Sequence, residues 1–185
     1  MIKVNEEITL ELISEKHAVG LFNALNNSRE HLSAFLPWVG RMQHIDDFRS
    51  YASDCELLYE QGKEVSFVII AEGILVGRIG LHHIDAQNNT ASIGYWLTKS
   101  AQGKGIVLKS CIAMISFGFD KLNLHRIELK AAVNNYRSQA IPKQLKFVEE
   151  GILREAELVN NQYLDLILYA MLKHDWKEGR TEIIM

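Results

Sequence analysis

The run Ser100-Ala101-Gln102-Gly103-Lys104-Gly105-Ile106 offers the most direct chemistry in this sequence. Two glycines one residue apart let backbone N–H groups approach an anion with no Cβ in the way. A helix beginning behind them adds a partial positive charge worth about 0.3–1 kcal/mol at an exposed site. A diphosphate suits such a loop, and so does a bare strand-to-helix turn that needs glycine only for its φ angle; the pair of glycines leaves both open. Other phosphate motifs are excluded. The chain has no G-x-x-x-x-G-K-S/T, and no G-x-G-x-x-G followed about twenty residues later by an acid. His82, His83 and Asp85 lack a fourth partner at metal spacing, so no metal is expected.

The elements that must position this loop can be read from periodicity. A strand over 8–12 precedes a helix capped by Ser14, with Ala18, Leu21, Phe22 and Leu25 on one face, and Asn26-Asn27 ends it. After a polar junction carrying Pro37 and Trp38, Asp46 is read as the cap of a second helix whose Phe48, Tyr51, Ala52, Cys55, Leu58 and Tyr59 form a stripe ending near Gly62. Strands over 65–71, 74–81 and 90–97 alternate as antiparallel hairpins. The period then switches to a helix over 104–121 and back to a strand over 126–133, which is a parallel crossover. A helix over 136–146 and strands over 147–153 and 163–171 complete a mixed sheet flanked by helices, an α/β fold, with Trp176 closing the core.

Composition bounds the rest. The 185 residues are 48% hydrophobic and 23% charged, with two prolines, no repeat and no linker-like stretch, which predicts a single domain over 1–185. A formal charge of -3 gives no footprint for nucleic acid or an anionic membrane. No run approaches 18 uncharged apolar residues and the first seven residues carry no leader pattern. Cys55 and Cys111 sit among apolar residues, as reduced packed thiols would, so a cytoplasmic location is expected.

Five ordered motifs carry a family resemblance: Ile93-Gly94-Tyr95-Trp96-Leu97, Gln102-Gly103-Lys104-Gly105-Ile106, His125-Arg126-Ile127-Glu128-Leu129, Asn135-Tyr136-Arg137-Ser138 and Glu150-Gly151-Ile152-Leu153-Arg154, with Tyr163 and Asp165 beyond them. Through these the chain resembles the GNAT superfamily of acetyl-coenzyme A-dependent N-acetyltransferases, and within it the RimJ/RimL-like group acting on ribosomal-protein N-termini. The resemblance implies acetyl-coenzyme A as co-substrate, with its pantetheine arm where the strands of Tyr95 and Arg126 splay apart. Tyr95, Trp96 and Leu97 would hold the arm, Gln102, Gly103, Lys104, Gly105 and Ile106 the pyrophosphate, and Asn135 and Ser138 the region near the sulfur. The backbone N–H near Tyr95 or Trp96 would receive the oxyanion. A homo-oligomer is compatible with the resemblance.

Three departures from the family pattern stand out. Ser100 occupies the place where the phosphate loop R/Q-x-x-G-x-G/A usually has Arg or Gln, Ser92 the place of a common glutamate, and Pro142 the place of a common tyrosine acid. Pro142 also falls inside a helix, where it typically costs about 3 kcal/mol unless the helix kinks.

Acyl transfer to an amine needs an uncharged amine, oxyanion donors and a proton for the departing thiolate. Ser138 is the candidate for the thiolate, although Asn135 and Ser138 can equally be simple helix-start residues. No base stands out; His82 and His83 end a strand, where histidines are commonly solvated, and Glu155 follows Arg154. Trp38, His82 and Glu155 are the candidate acceptor-side residues. At pH 7 roughly a tenth of α-amines, but fewer than about one in a thousand lysines, are uncharged, which favours an N-terminal α-amine. A polyamine or aminoglycoside acetyltransferase would share every cofactor residue, and a non-catalytic acyl-coenzyme A binder would account for Pro142, Ser92 and Ser100.

Overall fold

The computed structural model describes residues 1–184, with side chains through Glu178. At its start β1 (Ile2–Lys3) pairs with β2 (Ile8–Leu12), whose alternate residues Ile8 and Leu10 are buried. Ser14 opens the next helical stretch as a cap, but of a 3-10 turn over Glu15–His17, where its N–H donates to the His17 ring at 3.1 Å; α1 spans Ala18–Asn26. The junction that reads as polar and irregular contains a short α2 (Arg29–Ser33), too brief to show a helical period. Helix α3 (Ile45–Glu60) is capped by His44 rather than Asp46. The Asp47 carboxylate accepts the His44 and Gln43 N–H groups at 2.7 and 2.8 Å, so the acid that satisfies the helix start stands one position later than expected.

Strands β3 (Val65–Ala71), β4 (Ile74–Asp85) and β5 (Thr90–Leu97) form antiparallel hairpins, and α4 (Ile106–Asp120) crosses to β6 (Arg126–Ala132). β4 runs four residues beyond the expected end because a bulge after His82 absorbs an extra residue; His82 therefore lies inside the strand, 19% exposed, and not at a solvated end. After α5 (Tyr136–Gln144) come β7 (Val148–Val159) and β8 (Gln162–Leu172), then α6 (Lys173–Ile184), which buries Trp176. The segment read as a polar connection after Leu153 is strand: β7 is an edge strand exposed on both faces, so no apolar alternation marks it.

The described residues form one eight-stranded sheet in the order β1-β2-β3-β4-β5-β6-β8-β7, with β5 and β6 parallel. One face, with Phe67, Ile79, Leu81, Ile93 and Ile127, packs on α4 through Met114, Ile115 and Phe119. The other, with Val68 and Trp96, packs on α1 and α3 through Leu21, Leu25, Phe48 and Ala52. Among the described residues no helix is long and apolar enough to cross a membrane, and no His, Cys, Asp and Glu group could hold a metal ion. Cys55 and Cys111 are buried free thiols.

Candidate active site

The parallel pair that ties the sheet together is short. β5 and β6 are in register only from Thr90 with Arg126 to Ser92 with Glu128, after which they diverge. Which backbone groups face the gap follows from the alternation of hydrogen-bonded pairs along each strand. On β5, the Thr98 N–H donates to the Val76 carbonyl of the β4 side at 2.7 Å, so Trp96 and Gly94 spend their backbone groups on β4 while Tyr95 and Leu97 turn theirs into the gap. Of the two positions expected to offer an oxyanion donor, Tyr95 has a gap-facing N–H and Trp96 does not. Unpaired amides along a splayed edge suit an extended, amide-bearing arm.

Two cavities meet at this gap. One, of about 780 Å³, is lined by Tyr95, Trp96, Leu97, Gln102, Gly103, Gly105, Ile106, Asn135 and Ser138, which are all the expected cofactor residues except Lys104. Lys104 sits on the same loop with its side chain in solvent. Gly103 and Gly105 have φ of 78° and 72°, and a Cβ at either would project into space with nothing within 4 Å. The turn thus needs glycine for its angle, and the room above it remains for a ligand; Gly105 is also the N-cap of the fifteen-residue α4. The residues present therefore fit a diphosphate-bearing thioester.

Cations gather at the same cavity from side chains to which sequence reasoning gave no role. The Arg137 guanidinium donates to Gln102 Oε1 at 2.6 Å, and Gln102 Nε2 lies 2.5 Å from His31 Nε2. Burial, with help from Arg137 and Lys99, holds the His31 imidazole below its ordinary value. Arg137 and Lys99 line this cavity, while Ser100, where the family has Arg or Gln, turns its hydroxyl toward Thr98. The positive charge absent from position 100 is supplied from α5 and from the turn after β5.

Ser138 stands where both cavities meet. Its N–H donates to the Asn135 side chain at 3.2 Å, so the capping role is real, and its hydroxyl lies 3.3 Å from the Tyr95 hydroxyl. Pro142 accounts for the free carbonyl that the Tyr95 hydroxyl meets here. A residue with no N–H at position 142 cannot serve the carbonyl four residues earlier, which is that of Ser138. The Tyr95 O–H donates to that carbonyl at 3.2 Å instead. Burial raises the Tyr95 phenol far above its ordinary value, so it stays protonated. The proline that displaces the family's α5 tyrosine thus leaves a carbonyl that captures a different tyrosine.

The second cavity, of about 570 Å³, runs from this point toward α3 and is lined by Trp38, Met42, Phe48, Tyr51, His82 and Glu157 among others. Trp38 packs against Trp96, ring centroids 6.3 Å apart. His82 belongs to a half-buried cluster: its Nδ1 meets Glu64 Oε2 at 2.9 Å, and Arg78 donates to His82 Nε2 at 2.9 Å and to Glu64 Oε1 at 2.8 Å. Burial lowers the His82 pKa below its ordinary value, against the opposing pull of Glu64. Burial alone would raise Glu64, but hydrogen bonds from His82 and Ser66 and the Arg78 cation reverse this and hold it at about 2. Gly94 makes room for this ring, since a Cβ there would meet His82 Nε2 at 3.1 Å.

Glu155 reaches neither cavity. It is exposed with φ 49°, and its N–H donates to Asp165 at 2.7 Å. Between Leu153 and Glu157 β7 advances four residues while β8 advances two, so Glu155 is spent within the bulge and Glu157 comes to the wall of the second cavity instead. Burial raises the Glu157 carboxyl above its ordinary 4.5. An acid-rich run was visible in the sequence; the bulge that selects among its members was not.

Comparison with known proteins gives a consistent picture. The family described as Acetyltransferase (GNAT) domain matches residues 7–148. Bacillus subtilis YdaF, a candidate ribosomal N-acetyltransferase, is 34% identical over 95% of this chain and 96% of its own. The ribosomal-protein-serine acetyltransferase of Escherichia coli is 33% identical over 92% of this chain and 96% of its own. Among solved structures, the ribosomal alpha-N-protein acetyltransferase RimL in complex with coenzyme A superposes with a TM-score of 0.89 at 27% identity, covering 92% of this chain and 97% of that one.

Proposed function

The chain belongs to the GNAT acetyltransferase family, and from that premise we propose that it transfers acetyl from acetyl-coenzyme A directly to the N-terminal α-amine of a protein, with ribosomal proteins as the acceptor class. The observation that carries the reading is the meeting of two cavities across splayed strands at Ser138 and Tyr95. Bound acetyl-coenzyme A supplies an activated thioester and a thiol leaving group.

Each role then falls to a group of this chain. The gap-facing Tyr95 carbonyl and Leu97 backbone hold the pantetheine arm, and the residue 103–106 loop with Arg137 and Lys99 holds the pyrophosphate. The Tyr95 N–H points where negative charge grows on the acyl oxygen. Glu157, whose proton affinity burial raises above that of an ordinary carboxylate, takes the proton of the acceptor ammonium. Ser138, linked to the protonated Tyr95 hydroxyl, returns a proton to the thiolate. Ser92, Ser100 and Pro142 thus have stand-ins in Glu157, Arg137 and Tyr95, which weighs against a non-catalytic binder.

Charge in the acceptor cavity favours an α-amine over a polyamine. Glu64 and Arg78 neutralise one another, which leaves the Glu157 carboxyl on a wall that also carries Lys130, a poor host for a polycation. An α-amine also asks less of a carboxylate base, since its pKa is roughly 7.7–8.0 against about 10.4 for lysine. The test is thiol release from acetyl-coenzyme A with separate panels of short peptides, polyamines and aminoglycosides. Turnover with free-amine peptides and none with N-terminally blocked ones is the expected result. Turnover confined to polyamines or aminoglycosides, or coenzyme A binding with no turnover, overturns the proposal.

A further inference from the structure

The edge of β6 that the splay leaves open belongs to the acceptor cavity. Two hydrogen bonds fix which residues face it: Lys173 N–H donates to the His125 carbonyl at 2.9 Å and Val133 N–H to the Asp165 carbonyl at 3.0 Å, at either end of the β6–β8 ladder. Odd-numbered residues of β6 therefore spend their backbone groups on β8, and even-numbered ones face β5. Arg126 fits this rule, its N–H pointing to the Asn89 carbonyl before β5. The parallel ladder stops at Glu128, one step short of Lys130. The N–H and C=O of Lys130 and the N–H of Ala132 consequently face the gap with no strand opposite. The Ala132 carbonyl is already taken, by the Asn135 N–H and the Gln139 side-chain amide, each at 2.9 Å.

Residues Leu129 to Ala132 line the 570 Å³ cavity, and none of them lines the cofactor cavity. The β5 edge serves the cofactor arm, so the β6 edge is left for whatever enters from the acceptor side. Backbone groups with no strand partner are open to pairing, and an occupant that pairs with them gains by doing so. A donor-acceptor pair at strand spacing is matched by another extended peptide backbone. A polyamine has no carbonyl to offer it.

Resting on the α-amine reading, we infer that the acceptor is read through its backbone: the N-terminal segment of the substrate protein adds as a short β-strand to the β6 edge at Lys130 and Ala132. Such recognition holds the chain without dictating its side chains, and it separates a peptide from a small amine of equal basicity.

An ester scan of the acceptor tests this without altering the enzyme. In a good peptide substrate, each of the first three amide linkages is replaced in turn by an ester, which removes one N–H donor and weakens one carbonyl. One pairing bond is worth between about twofold and tenfold. The expected result is a loss of that size in kcat/KM at one linkage, carried by KM with kcat nearly unchanged, because the pairing is equal in ground and transition states. A flat scan, with the amide peptide turning over well, overturns the strand pairing and leaves the α-amine reading standing. No turnover with any peptide overturns both.

Discussion

Tyr95 and Pro142 form a thermodynamic couple that can be measured directly. In the wild-type chain the Ser138 carbonyl lacks its helical donor because residue 142 is proline, and the Tyr95 O–H fills the place at 3.2 Å. Removing the hydroxyl in Tyr95→Phe costs the net hydrogen bond, about 0.5–1.5 kcal/mol, and more where the carbonyl is shut off from water. A loss of about 1–1.5 kcal/mol is expected. In a Pro142→Ala background, the new N–H at 142 serves the same carbonyl, so the same substitution should cost about 0.5 kcal/mol or less. The coupling energy between the two sites is then about 1 kcal/mol, well above the additivity error of distant pairs. Urea unfolding of the four proteins supplies it, and Pro142→Ala itself should not destabilise by much because alanine favours a helix interior. Equal losses in both backgrounds would refute the idea that Tyr95 substitutes for the missing helical donor. The same Tyr95→Phe protein should lose kcat, by no more than about tenfold, since a thiol is a good leaving group.

Other consequences follow from the same site. The acid limb of kcat/KM should have an apparent pKa above the ordinary 4.5 of a glutamate, because burial raises Glu157 and activity requires its ionised form; Glu157→Gln should remove that limb and most of the turnover, and an unchanged profile would clear Glu157 of the role. Gly105→Asn tolerates the left-handed φ of 72° and can still cap α4, so it should leave stability nearly intact while its side chain enters the phosphate space and weakens coenzyme A binding in calorimetry. Gly105→Val should lose about 1–2 kcal/mol of stability as well. Glu64 is held at about 2 against an ordinary 4.5, so its stabilising contribution is complete above 4.5 and disappears as pH falls through about 2. Glu64→Gln should flatten the acid dependence of unfolding in that window, and an unchanged slope would remove Glu64 from it.

Local features were legible in the sequence and long-range ones were not. Strands β2 and β5 end where their alternation ends, because each has one buried face, while β3 is read from a short apolar run buried on both faces. The glycine loop was readable since φ and Cβ clearance are properties of a few adjacent residues. Glu157 was hidden among the acids after Arg154 by a bulge that only the pairing with β8 reveals. The role of the Tyr95 hydroxyl depends on a contact 43 residues away, and Arg137 and His31 join Gln102 only once α2 and α5 are packed across the loop. The half-buried His82 cluster escaped notice because β4 continues through its bulge where the sequence suggested an exposed end.

The most direct test of the account is the position of the acetyl group on one peptide that carries both a free N-terminus and an internal lysine, incubated with enzyme and acetyl-coenzyme A at pH 7 and read by fragmentation mass spectrometry. The cavity charges and the amine pKa values predict acetyl on the α-amine, with lysine modified only as pH rises. Acetylation of lysine at pH 7, with the α-amine left free, would contradict transfer to a protein N-terminus.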